Sequence, residues 1–434
     1  MRMSKLIDKG QGLGSRGQHR RVKAGSITAL TLFTIYYSLF ALPALADEYH
    51  YNNILVGDRA AGMGGAYTAI ADDPSGLFYN PAGIVYAQGS NVSVSANAFH
   101  QTNTIYKNVL GSNGWERTSS ALLPNFFGII QPLGKGRIGF SYAVPDSIVE
   151  DQDQIFTNIP GVDQYIINFN KNENTYNFGP SYAIELREGL SAGATLYAQY
   201  RSSQWIMNRL VRDIPIGSNP AQYEWTNQYY QISEWGVRPV AGLMWNTTDK
   251  LSLGLTASQA IILNSTTTYQ QIFKDRTYDG NTISRLDITS YEKRKMPFTA
   301  SLGVAYFPSR VLVVSGDFSY YSKVNDSVFG DREPTWNAAL GAEYYLSEKW
   351  ALRGGLFTDR ANTKKIESGD VNAFDHVDLY GGSLSLSYFT RQSSITAGSS
   401  YRYGSGKAQL LGDSQIQEVK MQALTLFLSA SYFY

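Results

Sequence analysis

The last twelve residues, ALTLFLSASYFY (423–434), decide the fold. Leu424, Leu426, Leu428, Ala430, Tyr432 and Tyr434 share one face of an extended chain, and Thr425, Ser429 and Ser431 share the other with Phe427 and Phe433. Successive side chains of a strand point to opposite sides, so this stretch offers one face to lipid and one to an interior. The same split recurs in Leu190, Ala192, Ala194, Leu196, Ala198 and Tyr200 against Ser191, Gly193, Thr195, Tyr197 and Gln199. It recurs again in Trp336, Ala338, Leu340, Ala342 and Tyr344 against Asn337, Ala339, Gly341 and Glu343. Charges within such segments (Arg137, Glu185, Arg201, Asp317, Glu343, Arg353, Arg402) fall on the inner face. A soluble sandwich would place them outside; a charge facing the bilayer midplane costs about 2–4 kcal/mol for Arg or Lys.

Working back from the C-terminus, short polar turns alternate with long connections. The short ones lie at residues 133–136, 187–189, 246–250, 308–310, 347–349 and 391–393, and the long ones near 99–118, 145–171, 206–225, 264–292, 323–333, 359–375 and 404–418. Six turns and seven loops separate about fourteen strands, which defines an all-β transmembrane antiparallel barrel over residues 90–434 with both ends on the periplasmic side.

Residues 1–46 carry a basic stretch (Arg16, Arg20, Arg21, Lys23), an apolar run from Ser26 to Leu42 and a small-x-small site, Ala44-Leu45-Ala46, which reads as a signal peptide. Removing it takes 37 basic and 36 acidic residues to 30 and 35, giving no reason to expect a nucleic-acid partner. No later stretch is long and apolar enough for a membrane helix. Cysteine is absent, so neither disulfides nor thiolate metal sites are expected. His50, His100 and His376 have no partners at metal-ligand spacing. Gly62-Met63-Gly64-Gly65 lacks the third glycine of a dinucleotide loop, and no Gly-x-Ser-x-Gly elbow occurs. No catalytic residue, metal or cofactor is expected, and the chain reads as a non-enzyme.

Residues 47–89 do not alternate. They concentrate Gly62, Gly64 and Gly65, then Asp73 ahead of Pro74, then Asn80-Pro81-Ala82. Asp73 and Asn80 stand where helix N-caps precede proline, and residues 66–71 are small enough for a short helix. A compact, glycine-rich and helical segment ahead of a barrel suits a plug, or hatch, in its lumen, with these seven residues expected to seat or gate it.

GDRAAGMGGAYTAIADDPSGLFYNPAGI (57–84) resembles the N-terminal hatch of the FadL/TodX (OmpP1-type) outer-membrane transporters, including the turn at Asn80, Pro81 and Ala82. The resemblance implies a fourteen-stranded, plugged barrel in the outer membrane. It also implies a cargo of long-chain fatty acid or aromatic hydrocarbon, and sideways release into outer-membrane lipid through an opening at the third strand. That strand reads as Gly136 to Val144, with Gly139 inside it and Pro145 at its end; glycine weakens a ladder and proline removes a donor.

Tyr106, Trp205, Met207 and Trp225 are the residues best suited to a greasy ligand pocket beneath the outer loops, with an interfacial aromatic girdle as the other reading. Tyr432 and Tyr434 end the lipid-facing row as a signal to the barrel-assembly machinery. A barrel that binds or anchors secreted proteins at the cell surface is the alternative function.

Overall fold

The computed structural model describes residues 49–434, apart from 216–220, 278–279, 372 and 412–414. The signal peptide expected over residues 1–46 lies outside the described residues. Fourteen antiparallel strands close on themselves. They are β1 (Asn91–Val109), β2 (Asn113–Leu133), β3 (Gly136–Phe156), β4 (Val162–Arg187), β5 (Leu190–Asp213) and β6 (Tyr223–Thr248). Next come β7, in two segments (Leu251–Gln259 and Ile261–Thr277), and β8, also in two (Gly280–Ser290 and Phe298–Ser309). The remaining strands are β9 (Leu312–Tyr321), β10 (Thr335–Ser347), β11 (Trp350–Asp359), β12 (His376–Phe389), β13 (Ser393–Ala408) and β14 (Gln417–Phe433). Asn91 of β1 stands opposite Phe433 of β14, which closes the ring and leaves no free edge along the seam.

The expected faces are the observed ones. Leu424, Leu426, Leu428, Tyr432 and Tyr434 are exposed on the outside, while Phe427 is buried inside. Arg201, Glu343, Arg353 and Arg402 are buried in the interior. Outward aromatics form two bands. Phe298, Tyr320 and Trp336 mark the upper band, and Tyr306, Tyr344, Trp350 and Tyr388 the lower. Trp336 and Tyr344 are eight residues apart on β10. At ~3.3 Å per residue and ~40° of tilt that is about 20 Å of height, close to the ~25 Å apolar band of outer-membrane barrels.

Four expected loops are largely strand. β3 does not stop at Val144 but runs on through Pro145 to Phe156, and β4, β5, β6 and β7 likewise extend far above the upper aromatic band. Once above the membrane a strand has no lipid-facing row to keep apolar, so the alternation that reveals it inside the bilayer fades. The connections expected at 323–333 and 359–375 are loops as read.

Residues 49–90 lie within the barrel. Two short helices, α1 (Asp58–Gly62) and α2 (Gly76–Tyr79), and a 3-10 helix (Pro81–Tyr86) are joined by tight turns. The helix expected over 66–71 is absent; those residues form turns, with Ala71 itself at φ 39°. Their helix-forming side chains are overruled by Gly64 (φ 68°) and Gly65 (φ 84°), which reverse the chain just before them.

Candidate functional site

The interior is layered from the outside inward. The uppermost layer is apolar: Tyr106, Trp115, Phe156, Tyr165, Phe169 and Trp205 are buried together, with Met207, Tyr230 and Tyr269 packed against them. Trp115 meets Phe156 edge-on with centroids 5.9 Å apart, and Trp205 stacks on Tyr230 at 5.4 Å. The indole N–H groups of Trp115 and Trp205 have no acceptor among the described residues. Of the four expected pocket residues, Tyr106, Trp205 and Met207 are brought together here. Trp225 is not, because Thr226 and Gln228 take the buried face of β6 at that height and leave Trp225 on the other.

Beneath the aromatic layer runs a belt of buried charges. Arg117 pairs with Glu150 across β2 and β3. Lys171 Nζ lies 3.0 Å from Glu173, whose other oxygen accepts from Arg201 at 2.6 Å. Arg201 reaches Glu234 at 3.3 Å, and Glu234 also accepts from Arg294 at 3.1 Å. Acids and bases alternate along the wall, so each ion that has left water keeps an opposite charge beside it.

Below the belt lies a cavity of about 270 Å³, between the wall and the plug. Phe78 and Tyr79 of the plug form part of its lining, and Asn177, Gln199, Arg238 and Tyr321 face them from the strands. Arg238 forms no ion pair among the described residues; its guanidinium sits over the Phe78 ring, 4.9 Å from the centroid.

The plug fits a seat made by wall glycines. A Cβ on Gly355 would fall 2.2 Å from the Met63 carbonyl carbon, on Gly254 2.1 Å from the Thr68 oxygen, and on Gly193 2.5 Å from the Pro81 carbonyl carbon. Asn80 fastens the plug by both ends of its amide. Its Nδ2 donates to Thr68 (2.7 Å) and to Leu243 of β6 (3.1 Å), and its Oδ1 accepts from Ala82 N–H (3.1 Å), capping the 3-10 helix that Pro81 begins. The Gly62 carbonyl accepts from Ser383 at 3.0 Å. Asp73 caps no helix: its Oδ1 accepts from Ser75 N–H at 2.8 Å in a side-chain turn. Burial in the plug pushes the Asp73 carboxyl up to about 6.

The strongest link between plug and wall is Arg59. Its Nε and Nη2 hold the two oxygens of Glu343 at 3.1 and 2.7 Å, and its Nη1 turns back to Asp72 and Tyr67. Glu343, fully buried, also accepts from Arg353 at 2.7 Å. Asp317 anchors a second point by accepting from the N–H groups of Tyr67 and Thr68 at 2.9 and 2.8 Å. The sequence pattern places Glu343 and Asp317 on the inner face but does not show these roles. An acidic residue on the lumen face of a strand was the available signal, but nothing local pairs it with Arg59, 284 positions away.

The wall itself is broken between β2 and β3. Phe126 pairs with Ala143 and Ser119 with Glu150, but the residues between them carry no register partner across β2 and β3. The register on either side places Pro124 opposite Pro145, so neither strand has an N–H to give there. The plug occupies this break instead. Ile54 N–H donates to the Pro145 carbonyl at 3.1 Å, Asn53 Nδ2 to Asp146 at 3.1 Å, and Asn125 Nδ2 to the Leu55 carbonyl at 3.0 Å. Pro145 also lines the cavity. Gly139 does not take part: it pairs with Ile130 and Ser181 in unbroken ladders and makes room for Leu77, whose Cδ2 would lie 2.4 Å from a Cβ.

Residues 44–408 match the family model described as outer membrane protein transport protein (OMPP1/FadL/TodX). Among solved structures, a FadL homologue of Pseudomonas aeruginosa aligns with a TM-score of 0.60 at 16% identity, over 87% of this chain and 98% of that one. The toluene transporter TodX of P. putida aligns with a TM-score of 0.59 at 13% identity, over 86% and 97%. The toluene transporter TbuX of Ralstonia pickettii gives 0.56 at 14% identity, over 87% and 98%. At such identities the likeness shows the fold alone. A search of curated protein sequences returned no match. The family match over most of the chain, on a closed fourteen-stranded barrel filled by its own N-terminal segment, establishes that this chain belongs to the FadL/TodX family of outer-membrane transporters of hydrophobic compounds.

Proposed function

We propose that this protein takes up small hydrophobic molecules, fatty acids or aromatic hydrocarbons, and releases them sideways into the bilayer through the break between β2 and β3. The observation that carries this reading is the break itself, which faces the internal cavity and is stoppered by residues 53–55 of the plug through three hydrogen bonds. An apolar cargo gains roughly 0.8 kcal/mol per buried methylene, so leaving into lipid avoids the cost of an aqueous exit below. The aromatic layer supports a small-molecule cargo, since its apolar surface faces inward rather than toward a protein partner.

The test ties the break shut. Ala121 and Ile148 stand opposite each other in the continued register, and the chain has no cysteine of its own. A disulfide in the Ala121→Cys, Ile148→Cys variant should stop uptake of a hydrophobic fluorophore and leave its binding to the purified protein intact. Normal uptake with the disulfide fully formed would remove this exit from consideration.

A further inference from the structure

The barrel wall opens at a second place, between β7 and β8. Gln259 pairs with Phe298 at the top of the lower ladder, and Thr267 pairs with Ser290 at the foot of the upper one. Among the described residues, 260–266 and 291–297 have no register partner across this seam. The sequence explains the interruption: residues 291–297 read YEKRKMP, three consecutive cations followed by a proline with no donor to give.

The position is telling. Phe298, 44% exposed on the outside, belongs to the upper aromatic band with Tyr320 and Trp336, so the seam begins where the outer leaflet meets water. On the inside, Gln259, Ala260, Met296 and Pro297 all line the same cavity that reaches Pro145. Among the described residues, 291–297 cover the seam without backbone-to-backbone hydrogen bonds across it. Arg294 reaches inward to Glu234 at 3.1 Å, Gln259 Nε2 donates to the Met296 carbonyl at 3.1 Å, and Lys295 holds Asn325 and Asp326 through its Nζ and its N–H.

A hydrophobic molecule coming down from the mouth along β4 to β6 meets the charged belt, and there its apolar surface would displace ions from their partners. The seam lies at the end of that belt, on Arg294, and leads to the cavity without crossing the rest. We propose that the seam is a second opening, through which hydrophobic molecules already partitioned into the outer leaflet reach the internal cavity, with residues 291–297 as its cover and Arg294–Glu234 as the latch. This inference rests on the transport reading above and adds a point of access to it.

The experiment uses the full chain in cells, with radiolabelled N-phenyl-1-naphthylamine as probe, its accumulation counted in the inner-membrane and cytoplasmic fractions so that probe dissolved in the outer leaflet is not scored. In the Glu234→Cys, Arg294→Cys variant, bridging the two thiols with a bifunctional methanethiosulfonate should slow the initial rate at least tenfold, and reductant should restore it. Arg294→Ala, which frees the cover without a bridge, should raise the rate about threefold. A bridged protein within twofold of the unbridged one, while the disulfide at residues 121 and 148 still blocks uptake, overturns the second opening and leaves the transport reading standing. An unchanged rate for Arg294→Ala overturns the latch. Cells that take up the probe no faster with the unmodified chain than without it overturn both readings together.

Discussion

Replacing Arg59 by alanine should unseat the plug. Arg59 is the one side chain seen to bind Glu343 of β10 through two nitrogens, and Glu343 has no exposure through which water could replace it. The Asp72 contact adds little, because that carboxylate is 38% exposed and already hydrated. Breaking a buried ion pair costs about 3–5 kcal/mol; Arg353 still holds Glu343, so the lower end applies, about 3 kcal/mol. At ~1.4 kcal/mol per factor of ten, that is roughly a hundredfold rise in the undocked fraction. Planar-bilayer conductance reads this directly, since a barrel without its plug conducts ions. Arg59→Ala should open frequently, Arg59→Lys should fall between, and Arg59→Ala with Glu343→Gln should regain part of the loss by removing the orphaned charge. Conductance for Arg59→Ala equal to that of the unmodified chain, with an unchanged melting temperature, would refute the assignment of Arg59 as the main link between plug and wall.

Two further outcomes concern the plug. Asp73 carries a carboxyl raised from 3.8 to about 6 by burial, so its share of docking strength is complete below 3.8 and is lost as pH rises through 6. Leak through the barrel should therefore increase between pH 4 and pH 7, and Asp73→Asn should flatten the profile; a profile of unchanged slope in that variant assigns the dependence elsewhere. Gly355→Val would place atoms within the Met63 backbone. It should yield a barrel of normal heat resistance on electrophoresis but with high conductance, and a quiet channel would show that the seat is wider than described.

Much of the barrel was legible in the sequence because a strand in lipid obeys a strict rule. The lipid-facing rows of β10 and β14 are apolar throughout from Trp336 to Tyr344 and from Leu424 to Tyr434, and the six short turns fall where glycine or charge interrupts the pattern. What lay above the membrane escaped, since β4, β5 and β6 extend into water, where the rule no longer applies. In the plug, Asn80-Pro81 announced a helix start by local chemistry, and the structure places one there. Asp73-Pro74 made the same local announcement, yet its carboxylate caps a turn, and α2 begins at Gly76. The break in the wall was half visible. Pro145 drew attention, but Pro124 gives the break its second missing donor, and nothing in either neighbourhood says that the two prolines meet. The belt was hidden for the same reason: Glu173, Arg201, Glu234 and Arg294 come from separate strands and one cover segment, and only closure of the barrel lines them up.

The wide separation in sequence between the plug and its seat has a consequence for biogenesis. Asp58 accepts from Thr396 across 338 positions, and Gly62 from Ser383 across 321. The segment that leaves the ribosome early is therefore completed by strands made near the end, and contacts so distant along the chain form late and slowly. Until β11 to β14 are in place the plug has only part of a surface to rest on. Sealing of the lumen therefore cannot precede closure of the barrel, and the last strands to join complete the seat as well as the wall.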